Sequence, residues 1–267
     1  MNFRYIILFF AFLLFSCEEV IDLDLDTAEP KLVIEASLNK NDNGSTAAFV
    51  KITQTTGFTD TIIPVVPNAS VRVIDETGTI YPFLHIENGV YTTENLSVEP
   101  ETTYTLEVNY ENELFTATAR LVPVVPFDGF VEQINDGGFD GEEIELKAFF
   151  TDPGGVENFY FFVGLSAKGN VYDALKDDFF DGNQIFGFYT VEDLEPGDEI
   201  SFNLYGIDSQ AYDYLFNLLL QTEAPAGPFE TQPATVRGNI VNTTNPDNFP
   251  LGYFRISEVS RLSYTVE

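Results

Sequence analysis

The acidic loop that starts at residue 177 has the spacing closest to a known metal site. Its sequence, DDFFDGNQIFGF, places two aspartates and a glycine at positions one, five and six of a calcium-binding EF-hand loop. Such a loop also needs oxygen ligands at positions three and twelve, which are Phe179 and Phe188 here. The EF-hand is therefore excluded, and the alternatives are a solvated turn, the usual form of such a cluster, and an irregular calcium site. Its candidate ligands are Asp177, Asp178 and Asp181.

A second stretch rich in aspartate and glycine, NDGGFDGEE, covers residues 135–143. It is the other place where an irregular calcium site is expected, although such clusters are most often solvated turns. The sequence indicates no cofactor other than calcium.

The residue types that support nucleophilic catalysis or zinc binding are scarce. His85 is the only histidine and Cys17 the only cysteine, which excludes zinc sites built from these ligands and a Cys–His catalytic pair. Residues 164–169 miss the nucleophile-elbow pattern by one position, and residues 37–40 fit S-x-x-K without a following K-T-G. No phosphate-binding loop or dinucleotide fingerprint is present. We predict that the protein is not an enzyme and assign no catalytic residues.

Carboxylates and aromatic rings leave one enzymatic and one sugar-binding alternative. A glycoside hydrolase needs only two carboxylates, about 5 to 10 Å apart, and 43 acidic residues supply such pairs by chance. The runs FYFF at 159–162 and FF at 179–180 could stack on sugars. Strand alternation turns at least half of the first run inward, so core packing is favoured for both.

Composition excludes further classes of protein. The 43 acidic and 12 basic residues give a net charge of −31, which argues against nucleic acid, whose binding depends on Lys and Arg. The same charge disfavours lying flat on an anionic membrane leaflet. The chain is 44% hydrophobic with 26 Phe, which is ample material for a core.

Most of the chain reads as short strands separated by turns. The strands are predicted at 31–38, 47–54, 70–75, 79–84, 89–91, 104–110 and 114–121, and then at 143–151, 158–166, 184–190, 199–206, 235–241, 252–257 and 260–266. This layout predicts a mainly β, all-β fold of antiparallel sandwiches with one helix. Pro123 and Pro126 cannot donate ladder hydrogen bonds, so they mark a boundary between a domain at 31–122 and a second β-rich, sandwich or barrel-like domain at 127–267.

Two details of these domains are predicted from single residues. Tyr104 follows a proline-containing turn and opens a strand, as in a tyrosine corner, where the hydroxyl bonds to upstream backbone. Residues 208–222 form the one amphipathic helix, with Asp208 as its N-cap.

The first 16 residues have the features of a signal peptide. Arg4 precedes an apolar run at 5–15, YIILFFAFLLF, that is too short to span a bilayer. The residues LFSC at 14–17 resemble a bacterial lipobox, with Phe where a small residue is preferred. The resemblance implies cleavage between Ser16 and Cys17 and acylation of Cys17; the alternative is an ordinary free thiol.

Residues 17–30 then form a lipidated acidic tether. Glu18 and Glu19 resemble the export signals of Bacteroidota lipoproteins displayed on the outer face of the outer membrane, and the alternative is a solvated charged linker. We expect an outer-membrane, lipid-anchored protein exposed at the cell surface.

Several short phrases occur in a characteristic order along the chain. They are CEE at 17–19, KLVIE at 31–35, FTDP at 150–153, NFY at 158–160, DFFDG at 178–182, the helix at 208–219 with Tyr212, GNI at 238–240 and LGYF at 251–254. Together they resemble the Bacteroidota lipoprotein family catalogued as domain of unknown function 4249. The resemblance implies an N-terminal immunoglobulin-like β-sandwich and a C-terminal β-rich domain. No catalytic residues are assigned in that family.

The resemblance also implies a partner, because genes of this kind tend to lie beside TonB-dependent receptors. We therefore expect a non-enzymatic accessory or binding component that works with such a receptor in ligand uptake. The alternatives are a free-standing adhesion or glycan-binding lipoprotein and, less favoured, a carboxylate-type hydrolase. The sequence does not identify the ligand.

Overall fold

The computed structural model describes residues 29–57, 60–138, 141, 143–223 and 235–267. The predicted signal peptide, the predicted lipid-attachment residue Cys17, Glu18, Glu19 and most of the predicted tether lie outside these residues. The strands are β1 Leu32–Asn41, β2 Thr46–Gln54, β3 Ser70–Asp75, β4 Ile80–Glu87, β5 Val90–Thr92, β6 Thr103–Tyr110, β7 Glu113–Val122, β8 Phe127–Gly137, β9 Glu143–Thr151, β10 Phe159–Leu165, β11 Asn170–Lys176, β12 Gln184–Tyr189, β13 Glu199–Ile207, β14 Val241–Asn242 and β15 Phe254–Thr265. The helices are a 3-10 turn, Asp177–Phe179, and α1, Ser209–Glu223.

The first seven strands form two facing layers. One layer has the order β1–β2–β5 and the other has the order β4–β3–β6–β7, all antiparallel. These are the A-B-E and C′-C-F-G orders of an immunoglobulin-like sandwich, so the predicted fold is confirmed. A further pairing of β5 with β4 joins the two layers along one edge.

Alternation along β6 shows why this part of the chain forms strands. Tyr104, Leu106 and Val108 point into the core and are almost completely buried, as a period of two requires. The Tyr104 hydroxyl accepts a hydrogen bond from the backbone N–H of Glu99 (2.9 Å) and donates one to the carbonyl of Ser97 (3.4 Å). The predicted tyrosine corner is confirmed.

The second half of the chain repeats the same strand order. One layer is β8–β9–β12 and the other is β11–β10–β13–β15, again antiparallel. Large apolar side chains that include Phe150, Phe162 and Phe202 fill the space between the layers. Helix α1 and the segment up to residue 253 are inserted between the last two strands of this order. The described chain therefore contains two sandwiches of one topology.

Strand β15 belongs to both sandwiches. Its first half pairs in parallel with β1, from Ala36 beside Phe254 onward, and bridges to β7. Its second half pairs antiparallel with β13. Phe254 and Ile256 lie in the core of the first sandwich, whereas Leu262 packs against the core of the second. The first core thus takes residues from both predicted domains.

Some strand predictions were wrong. β8 was missed because its register shifts twice, and Gly129 within it has a positive φ of 85°; these irregularities hide the alternation. The strand predicted at 235–241 is reduced to β14, because the Asn239 side chain, rather than a ladder, bonds the Phe254 backbone. The strands predicted at 252–257 and 260–266 are one continuous strand, and β11 was not predicted.

Helix α1 confirms the helix prediction within a residue at each end. The Asp208 carboxylate accepts a hydrogen bond from the Ala211 N–H at 2.7 Å, which satisfies one of the free donors of the first turn. Among the described residues, no helix combines the length and the apolar character needed to cross a membrane.

Candidate functional site

Two of the predicted calcium ligands, Asp177 and Asp181, lie with Asp152 at one end of the second sandwich, where β9 and β11 both stop. Asp152 directly follows β9, Asp177 begins the 3-10 turn after β11, and Asp181 closes that turn. One carboxylate oxygen of each lies within 4.8 Å of the other two. Asp152 and Asp177 are buried, and Asp181 is exposed. We call these three residues the carboxylate cluster.

Backbone and phenol groups hold each carboxylate in place. Asp152 accepts hydrogen bonds from the Tyr160 hydroxyl (2.5 Å) and the Gly182 N–H (3.0 Å). Asp177 accepts one from the Asn158 N–H at 2.7 Å. Burial raises the pKa of Tyr160, and its hydrogen bond to the Asp152 carboxylate raises that pKa further. These donors stabilise ionised carboxylates that would otherwise be costly to bury.

Asn158 is connected to the carboxylate cluster through its backbone. The side-chain oxygen Oδ1 of Asn158 is buried and has no hydrogen-bond partner among the described residues. The backbone of Asn158 is hydrogen-bonded to Asp177 in both directions, through the Asp177 N–H and the Asp177 carboxylate. An amide oxygen of this kind is a chemical type that calcium accepts as a ligand.

The cluster differs from the sequence prediction in one member. Asp177 and Asp181 come together as expected, but Asp178 forms an ion pair with Lys176, with 3.1 Å between Nζ and Oδ1. Asp152 was missed because it lies 25 residues before Asp177, and only the fold brings the two together. Three carboxylates supply part of the six to eight oxygens that calcium takes, so calcium binding stays a prediction.

The second calcium candidate, residues 135–143, is described only in part, because residues 139, 140 and 142 lie outside the described chain. Where it is described, the side-chain oxygen Oδ1 of Asn135 accepts a hydrogen bond from the Gln133 side-chain amide. The prediction for this segment also stays open.

His85 and Ser166, whose residue types can support catalysis, both make structural hydrogen bonds. His85 Nε2 accepts a hydrogen bond from the Gly89 N–H, and its ring packs edge-on against Tyr91. Ser166 Oγ accepts hydrogen bonds from the Tyr189 hydroxyl and from the N–H groups of Lys168 and Gly169, which closes the turn between β10 and β11.

The aromatic run at 159–162 packs on both faces of β10, inside the second sandwich on one face and against α1 on the other. Tyr160 and Phe162 are buried inside the second sandwich. Phe159 and Phe161 point outward and pack with residues of α1 and β13. Core packing, the favoured use of this run, is confirmed. In the second run, residues 179–180, only Phe179 is fully exposed to solvent.

A groove lies where α1 overhangs the first sandwich, at the junction of the two. Its volume is about 190 Å³, and one wall comes from α1 and the other from β1, β2 and β15. Tyr214, Leu215 and Phe49 give it an apolar lining, and Arg255 and Glu35 bring opposite charges. We call it the junction groove. Sequence patterns did not indicate it, because its walls are far apart in the chain.

Strand β4 has an unusual outer face. The residues that alternate outward are all apolar: Ile80, Pro82, Leu84 and Ile86. Ile80, Leu84 and Ile86 are 53%, 72% and 58% exposed, whereas an outward strand face is normally polar. We call these four residues the β4 apolar row.

Comparison with known protein families identifies the family of this chain. A family model described as domain of unknown function (DUF4249) matches residues 18–263. The chain belongs to this family. No curated protein matches it. Three of the phrases that carried the family resemblance, FTDP, NFY and DFFDG, meet at the carboxylate cluster.

Among solved structures, the chain is similar to several multidomain receptor and adhesion proteins at low sequence identity. They include a two-domain segment of chicken tenascin (13% identity, 67% of this chain and 91% of that one, TM-score 0.22) and a cytokine receptor complex (14%, 68% and 86%, TM-score 0.23). The third is chicken CNTN1 FN1–FN3 (16%, 68% and 63%, TM-score 0.22). At these TM-scores the fold assignment rests on the strand pairings above.

Proposed function

We propose that this DUF4249 protein is a surface-anchored outer-membrane lipoprotein of Bacteroidota. It works without catalysis, as an accessory component of a TonB-dependent receptor in ligand uptake. The β4 apolar row is the observation that carries the partnership. Four adjacent outward apolar side chains on a strand are costly in water, and such patches mark protein contacts.

The charge around the row supports a specific partner surface. Glu87 and Glu94 lie beside the row, and the chain as a whole carries a net charge of −31. A partner with an apolar patch inside a basic rim would match both properties. A second copy of the same acidic chain would meet repulsion at this surface instead.

Anchoring is supported by the sequence before β1. The apolar run at 5–15 ends at Cys17, and Asp- and Glu-rich residues separate that cysteine from Leu32, where β1 begins. Two or three acyl chains on one cysteine hold a protein stably at a membrane. The acidic tether then keeps the sandwiches away from anionic headgroups.

The glycan-binding alternative is less well supported. The aromatic run at 159–162 is taken up by the second core and the cover of α1, and Phe179 alone does not make a stacking platform. A polysaccharide-degradation gene beside this one would favour the alternative, and a receptor gene would favour the proposal.

Anchoring is tested by replacing the acylated residue. Cys17→Ser should move the protein from the membrane fraction to the soluble fraction, and mass spectrometry of the parent should find acyl chains on Cys17. Protease added to intact cells should cleave the parent if it is exposed at the surface. An unmodified Cys17 in a soluble protein would contradict the proposal.

The partnership is tested by co-purification from mildly solubilised membranes after crosslinking. The parent should bring down a receptor barrel, and Leu84→Glu should abolish this because it places a charge in the middle of the β4 apolar row. Val156→Glu is the matched control, since Val156 is 60% exposed on the other sandwich. Repeated failure of the parent, or an equal loss with both variants, would refute the proposed partner surface.

A further inference from the structure

Arg255 is a cation without a counter-ion in a strongly acidic chain. It lies half-buried on β15, and no carboxylate of the described residues is within 4 Å of its guanidinium. Its nearest polar partners are neutral: Nη1 donates to Asn39 Oδ1 (2.9 Å) and to Ser257 Oγ (3.0 Å). In a chain with 43 acidic residues, both hydrogen bonds of this arginine thus go to neutral side chains.

The guanidinium is held in one orientation, and its hydrogen bonds to the described residues leave the N–H donors of one edge unused. It lies 4.6 Å from the centre of the Tyr205 ring, and its two hydrogen bonds both use Nη1. An arginine has five N–H donors. The donors of Nε and Nη2, which together form the edge that pairs with a carboxylate, have no partner among the described residues. Burial lowers the pKa of Arg255, as expected for a cation that has lost water without gaining an anion.

This cation lines the junction groove. The rest of the lining combines aromatic and aliphatic side chains, among them Tyr214, Leu215 and Leu218 of α1 and Phe49 of β2. An apolar cavity with one well-oriented polar group is the usual form of a small-ligand site. A volume of about 190 Å³ is below the roughly 300–1,000 Å³ of sites for drug-sized ligands.

Glu35 restricts the charge of the ligand. Its exposed carboxylate lines the same groove, so an anion at Arg255 also meets a like charge. A dianion such as phosphate would also have to remove a second charge from water, in an apolar groove that offers a single guanidinium. A planar monoanion matches the free bidentate edge of an arginine best.

We propose that the junction groove binds a small organic acid, with the carboxylate of the ligand paired to Arg255 and its apolar body between α1 and β2. The site lies between the two sandwiches, because α1 belongs to the second and β1 and β2 belong to the first. This proposal does not depend on the anchoring or the receptor partnership, and either can fail without the other.

The test compares an acid with its neutral counterpart on the full chain. Binding of 3-phenylpropionate, 3-phenylpropanamide and inorganic phosphate is measured by titration calorimetry in a nonionic detergent, with detergent alone as the blank. The acid should bind at least about tenfold more tightly than the amide, which is the effect of one charge-assisted hydrogen bond. Equal affinity of acid and amide, or tighter binding of phosphate, would overturn the proposal.

Two arginine variants separate the site from general charge. Arg255→Gln should remove the preference for the acid. Arg261→Gln is the matched control, because Arg261 lies six residues further along β15, bonds to the neutral Asn203 and Asn41 side chains in the same way, and is outside the groove. It should leave the affinity unchanged within about twofold. An equal loss in both variants would refute the site.

Exposed positions on the rim keep the test decisive if Arg255→Gln does not fold. Glu35→Gln should tighten binding of the acid by a few-fold and leave the amide unchanged, because it removes the like charge. Phe49→Glu should weaken binding of the acid more than binding of the amide. An acid affinity that responds to neither change would refute the proposal.

Discussion

At the scale of single residues, the carboxylate cluster shows how the fold keeps charge inside. Asp152 is 2% exposed and Asp177 is 4% exposed, and the donors around them are a phenol and backbone N–H groups rather than a lysine or an arginine. Two buried carboxylates within 4.8 Å of one another repel each other, and a bound cation would remove this cost.

Calcium should therefore raise the melting temperature of the protein, because a ligand that binds only the folded state stabilises it. The measurement is thermal unfolding with excess calcium and with chelator. Asp177→Asn should abolish the increase. Asp178→Asn is the control, because Asp178 pairs with Lys176 outside the cluster, and it should keep the increase. An unchanged melting temperature in the parent would contradict the calcium prediction.

The contribution of Asp75 to the stability of the folded state should depend on pH. Its carboxylate accepts hydrogen bonds from Thr77 and Thr79 in the turn between β3 and β4. The Thr77 hydroxyl is the main cause that lowers the pKa of Asp75 from 3.8 to about 2. A lowered pKa in the folded state means that the stabilisation is complete above the unfolded value and is lost as the pH falls.

Asp75→Asn should therefore unfold at a lower temperature than the parent at pH 7. The difference should shrink between pH 3.8 and about 2, the interval set by the lowered pKa. Thermal unfolding of both proteins across this range is the measurement, with Asp136→Asn as an exposed comparison. A difference that stays constant down to pH 2 would show that Asp75 acts through something other than its charge.

At the scale of elements, β1 and the segment before β15 approach each other very closely. Gly252 has a φ of +97°, and a side-chain carbon added there would collide with the carbonyl oxygen of Ile34 in β1. The backbone of β1 can therefore bond to Leu251 and Tyr253 on both sides of this glycine. Only glycine permits this approach.

Gly252→Ala should lower the free energy of unfolding by about 3 kcal/mol or more, because left-handed strain and the collision add together. Gly197→Ala is a matched control, since Gly197 has a φ of +98° with no atom near the added carbon. It should cost only about 1–2 kcal/mol. Urea denaturation measures both, and equal losses would mean that strain alone explains Gly252.

Elements with regular alternation could be predicted from sequence, and those defined by tertiary contacts could not. β6 shows a period of two along its own sequence. α1 begins after an N-cap, Asp208, that can also be recognised from the local sequence. Among the described strands, β11 pairs with β10 alone and is an edge strand, and edge strands need little apolar alternation. The sequence also did not show that the two sandwiches share one strand order, because unrelated side chains can build the same topology.

The sites follow the same rule. Asp177 and Asp181 are four residues apart, so a loop pattern could indicate them. Asp152 and the walls of the junction groove are joined only by the fold. Arg255 has no sequence signal at all, since its meaning depends on the absence of nearby carboxylates among the described residues.

At the scale of the whole molecule, the two sandwiches should unfold as one unit, because β15 contributes to both cores. Val73→Ala in the first core should lower stability by about 2 kcal/mol and Phe162→Ala in the second by about 3–5 kcal/mol; both side chains are fully buried. Each should shift one common transition, seen alike by tyrosine fluorescence and circular dichroism. Two separate transitions would show that the sandwiches are independent.

The position of β15 in the sequence also has a consequence for how the protein is made. A growing chain that ends before residue 254 leaves one edge of β1 unpaired and lacks a wall of each core. The N-terminal half, although synthesised first, cannot reach its final form while the ribosome is still reading the middle of the message. The first sandwich is therefore completed only when β15 has been synthesised.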